Sequence, residues 1–245
     1  MEIPEIAQAL INNELQTLLK SSEYSLSPQT RVEIYEALGV SNFSYNKIVD
    51  ETLNSDPLPN LSIGDLSRVQ ISLTVARKVA MLWGLACQES DLHFKRERDK
   101  SEEEIYLHRL KSEPIENIPD IPRAFVPSHI LEMAERALAG NIQNYRTLRF
   151  EANELWLMYP RPEQVEREFF IKWATQDALY EVIGWKKYNY DEPPAEDALY
   201  AFAGIFEGND FHNRRCRLDK NKEHEFWHWW LSEAIPQSVS KVDVS

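Results

Sequence analysis

A chain of 245 residues with a formal charge of −13 and a pI near 5.0 carries a field that repels phosphate, which argues against a nucleic-acid partner. Hydrophobic residues make up 43%, ample for a packed core, while seven glycines are too few for the turns of an all-β chain of this length. The longest apolar run, VAMLWGLAC, is too short to span a bilayer, the acidic start MEIPEIAQAL does not read as a signal peptide, and two isolated cysteines suit a reducing cytoplasm.

Residues 4–20 read as a helix, with Pro4 in its first turn and Ile6, Ala9, Leu10, Leu15, Leu18 and Leu19 following the helical period. A second helix over 28–38 is announced by Ser27 as N-cap, Pro28 at the first helical position and Gly39 beyond its end. After a loop-rich 41–60, Ser62-Ile63-Gly64-Asp65 opens a long helix to about Cys87. Its stripe of Leu66, Val69, Leu73, Ala76, Val79, Ala80, Trp83 and Leu85 marks it as central to a bundle. Residues 89–127 form a mixed-charge and then Pro-rich connection, with room for a short helix around 102–110.

The helical pattern restarts at Pro127-Ser128 and carries Ile130, Leu131, Ala134, Ala137 and Leu138 to Gly140. Further helices are predicted over 144–159 and over 163–185, the latter with Val165, Phe169, Phe170, Trp173, Ala174, Leu179, Tyr180 and Ile183. Another runs from Pro194 to about Glu207, and a last one covers 220–234. Trp156, Trp173 and Trp185 read as core, and a short hairpin near 185–191 or 210–218 is an option. The expected fold is an all-α, irregular bundle of about eight helices. It forms a single domain over 1–245, with a sub-division into 1–88 and 128–245 left open.

One chemical motif stands out. His224-Glu225-Phe226-Trp227-His228 matches H-E-x-x-H, the helix in which two histidines at i and i+4 hold zinc and the glutamate acts as base on the metal-bound water. Such a site needs a third protein ligand. Downstream, Glu233 lies about 140° round a regular helix from His228, and Asp243 sits in a polar tail, SVSKVDVS, that is not expected to be ordered. Upstream, Asp210, His212 and Cys216 follow no known ligand spacing, and Lys222 and Glu223 imply a solvent-exposed first turn where a zinc helix would be apolar. His93 and His108 have no metal-like companion. Metal ligation by His224 and His228, with Glu225 as base, therefore stands as the alternative, and no cofactor is expected.

On a helical wheel Trp227, Trp230, Leu231 and Ala234 share a core face, with Phe226 at its edge, while Glu225 and Glu233 cluster opposite with Trp229 between them. An indole on a polar face is either covered by another element or an anchor for a partner, with Glu225 and Glu233 beside it. The basic knot NRRCR (213–217) reads as a solvated loop, or else a contact for an anion or an acidic partner. No phosphate loop, dinucleotide fingerprint or hydrolase elbow occurs.

The segments ARKVAMLWGLACQES (76–90) and PSHILEMAERALAGNI (127–142) resemble the paired-helix pattern of helical immunity proteins of bacterial polymorphic toxin systems. The final EFWHWWLSEAIP (225–236) is similar to the aromatic-rich C-terminal helices of bacterial proteins of that kind. The resemblance implies a protein that neutralises a toxin enzyme by stoichiometric binding, with no catalytic residues and no metal role for His224 or His228. The expectation is thus a protein-binding module whose partner is a toxin or, in a third reading, a subunit of a larger complex. Its oligomeric state is left open.

Overall fold

The computed structural model describes residues 1–21, 23–42, 60–89, 126–141, 167–183, 193–207 and 215–242. Over these the chain is an all-α bundle, with α1 at Glu5–Lys20, α2 at Pro28–Ala37, α3 at Ile63–Ala80, α4 at Trp83–Glu89, α5 at Val126–Leu138, α6 at Arg167–Val182 and α7 at Glu196–Ala203. A two-stranded antiparallel ribbon follows, β1 at Gly204–Glu207 against β2 at Arg215–Leu218, with Phe206 opposite Cys216. The last helix, α8, is α-helical over Lys220–Trp229, takes a π-helical turn over Trp230–Ala234, and ends with Ile235–Ser240. The expected helices over 102–110 and 144–159, with Trp156 and Trp185, lie outside the described residues.

Local chemistry sets the helix starts. Ser27 accepts a hydrogen bond from the Thr30 amide ahead of Pro28, as the sequence predicts. Ser62 and Asp65 form a capping box at α3: the Ser62 hydroxyl accepts from the Asp65 amide at 3.0 Å, and the Asp65 carboxylate accepts from the Ser62 amide at 3.0 Å. That carboxylate also takes the Asn42 amide and the Arg68 guanidinium, both at 2.9 Å. Burial pushes the Asp65 carboxyl up, but hydrogen bonds from Ser41, Asn42, Ser62 and Arg68 outweigh it and hold the group low. The α2–α3 corner is tight: Gly39 has φ +130°, and a Cβ on Gly64 would lie 2.7 Å from the Gly39 carbonyl.

Helix α3 is central, as its stripe predicts. Ile71, Val75 and Val79 join a core shared with α1, α2, α7 and α8, while Val69, Leu73 and Ala76 turn to a second core shared with α5 and α6. A two-residue turn at Met81-Leu82 divides the expected single helix, and Leu85 is left exposed. Helix α6 packs on α3, α4, α5 and α7 at once. It accordingly buries polar as well as apolar residues, Lys172, Thr175, Gln176 and Glu181 among them, and shows no apolar stripe.

Four expectations need correction. In α1 the core face is Ala7, Ile11, Glu14 and Leu18; Ile6 and Leu19 are each 72% exposed. Tyr24 donates to the Glu14 carboxylate, so a carboxylate can occupy an otherwise apolar face. Trp173, read as core, is 37% exposed and packs at a tilt against Phe169 with ring centroids 4.7 Å apart. The helix predicted to reach Glu207 stops at Ala203, because Gly204–Glu207 pairs with β2 and the buried Arg167 guanidinium takes the carbonyls of Ala201 and Gly204. The tail after 234 is helical to Ser240 and buries Val239 and Val242, with the N-terminal ammonium of Met1 donating to the Val242 carbonyl at 3.4 Å. Asp243 is not among the described residues.

Candidate interaction surface on the C-terminal helix

Asp219 caps α8 by accepting from the amides of Asn221 and Lys222 at 3.0 and 3.2 Å. Apolar or small residues then recur in pairs at intervals of four: Phe226-Trp227, Trp230-Leu231, Ala234-Ile235 and Ser238-Val239, all buried. In a regular helix a step of four overshoots a full turn by about 40°, so such a pattern would swing off the core within three steps. The π turn inserts one extra residue and brings the later pairs back, with the Ile235 amide donating to the Trp230 carbonyl five residues before it. Pro236, which has no amide to give the Ser232 carbonyl, stands two residues after the turn and favours the same opening. Ser238 reaches Thr74 of α3 at 2.8 Å, and Tyr35 stacks on Trp230 at 6.1 Å.

The two histidines face different surroundings. His224 is half-buried against α1, its Nε2 3.0 Å from the Leu18 carbonyl oxygen, while His228 and Glu225 are exposed. A histidine held to a carbonyl through one nitrogen keeps the other for ligation, so the zinc alternative turns on a third ligand. Among the described residues no three His, Cys, Asp or Glu side chains gather to hold a metal; Asp210 and His212 are not among them. The expected exposed first turn holds for Lys222 but not for Glu223, which is 2% exposed, accepts from the Ser25 hydroxyl and pairs with Lys220 at 2.8 Å.

Trp229 is half-buried. One face of its indole carries the Lys78 ammonium of α3, 4.3 Å from the ring, and Phe226 packs at 5.8 Å. Lys78 is also 5.1 Å from the Phe202 ring. Glu225 and Glu233 stand exposed one turn to either side of Trp229, with His228 beside it. The outer face of α8 is therefore two carboxylates and an imidazole around an indole held from beneath. Exposed charges elsewhere are of both signs, among them Glu2, Glu5 and Glu36 and also Lys20, Arg77 and Arg217. Cys216 on β2 is free and half-buried, and burial pushes its thiol up.

A second polar site has no sequence motif to announce it. Arg31 is 3% exposed: its guanidinium meets Glu196 at 2.5 Å and the Pro194 carbonyl at 3.1 Å, and stacks on the Trp227 ring at 4.8 Å. Burial lowers its pKa, and the Glu196 carboxylate works against that. Ala195, between these partners, adopts φ +62°. Beside them Tyr35, Ser72, Asp177, Glu196 and Asp197 line a cleft with room for about one water. Burial, then the charges of Glu181 and Asp177, hold the Tyr35 phenol protonated. The available signal was position: Arg31, Tyr35 and Leu38 fall on one helix face, so Arg31 points where the apolar residues do.

No protein-family model, curated protein or solved structure matches the chain. No helix among the described residues is long and apolar enough to cross a membrane.

Proposed function

We propose that this chain is a non-catalytic protein-binding module, in its sharper form an immunity protein that neutralises a bacterial toxin enzyme in the cytoplasm by stoichiometric binding. The observation that carries this reading is the outer face of α8. Phe226, Trp227, Trp230 and Leu231 pin the helix to the core, so Glu225, His228, Trp229 and Glu233 are presented in fixed relation. Aromatic anchors held rigid at low entropic cost, flanked by charge, are what energetically important contacts require. The resemblance of 76–90, 127–142 and 225–236 to helical immunity proteins points the same way.

The test is affinity capture from the native host, followed by measurement of stoichiometry and of the captured enzyme's activity. A one-to-one complex in which that enzyme is silenced is expected. Capture of a multi-subunit assembly would favour the scaffold reading instead. Stoichiometric zinc in the purified protein, with hydrolytic activity lost in Glu225→Gln, would replace both with a metal-dependent hydrolase built on His224 and His228.

A further inference from the structure

We draw no further inference here: the strongest candidate, the band of partly exposed rings formed by Phe169, Phe170 and Trp173 of α6 with Tyr200 of α7 and Phe206 of β1, carries nothing because nothing in the structure shows what covers it.

Discussion

Arg31 shows how a buried charge is tolerated: every close partner offers compensation, the Glu196 carboxylate, the Pro194 carbonyl and the Trp227 ring. Arg31→Ala should cost about 2–3 kcal/mol, less than for a fully buried pair because Glu196 regains water on its exposed side. Urea unfolding measures it, and a loss below ~0.5 kcal/mol would mean that the cluster is not a stabilising clasp. His129 offers a pH handle. It is fully buried on α5, and burial, with Arg136 nearby, lowers its pKa to about 4. The unfolded chain therefore binds a proton below about 6.5 that the folded chain refuses until about 4. Stability should fall by about 3 kcal/mol as pH drops through that window and flatten below it with respect to this group. Thermal unfolding of His129→Gln should lack that part of the slope; an unchanged slope would assign it elsewhere. Gly64→Ala, normally a gain of ~1 kcal/mol in a helix, should here lose about 1–3 kcal/mol, because the added methyl meets the Gly39 backbone.

At the scale of elements, legibility followed the origin of the signal. Starts written locally, Ser27-Pro28 and Ser62 with Asp65, were readable because cap and partner lie within three residues. The face of α1 was not, because what selects Ala7, Ile11 and Leu18 over Ile6 and Leu19 is packing against α2 and α8. Helix α6 hides the exposure of Trp173 for the opposite reason: packed on four helices, it buries polar as well as apolar residues, so no apolar stripe marks its open side. Strand β1 looks helical on its own and becomes a strand only by pairing with Arg215–Leu218. In α8 a regular wheel gathers Trp227, Trp230, Leu231 and Ala234 on one face, but it does not announce the π turn that carries the buried pairs on to Ser238-Val239. The role given to Pro236 predicts a double-mutant cycle. Deleting Ser232 should restore a regular helix and place the proline ring against a backbone carbonyl, at a cost of about 3 kcal/mol. Adding Pro236→Ala to the deletion should recover most of it. Chemical denaturation reads both, and equal stability of the two variants would remove the proline from the explanation.

Across the whole molecule, two cores meet on α3, and the resulting bundle holds α8 by one face, while Glu225, His228 and Glu233 on the other are exposed. Composition and periodicity disclose the helical class because the period of an apolar stripe is written within each helix's own sequence. The candidate site was half legible. A regular wheel puts Glu225 and Glu233 opposite the core with Trp229 between them, and both carboxylates are exposed, but the clamp on the half-buried Trp229 comes from Lys78, some 150 residues away in sequence, which no local pattern encodes. Glu223 and Arg31 escaped because charged residues are presumed solvated, and both are satisfied by partners remote in sequence. The most direct test of the central claim compares wild-type protein with Glu225→Lys/Glu233→Lys, two exposed positions whose change should leave the melting temperature within a few degrees. The affinity of each for the partner recovered by wild-type capture is then measured by titration calorimetry. The account predicts at least a hundredfold weaker binding by the folded double variant; unchanged affinity would contradict it.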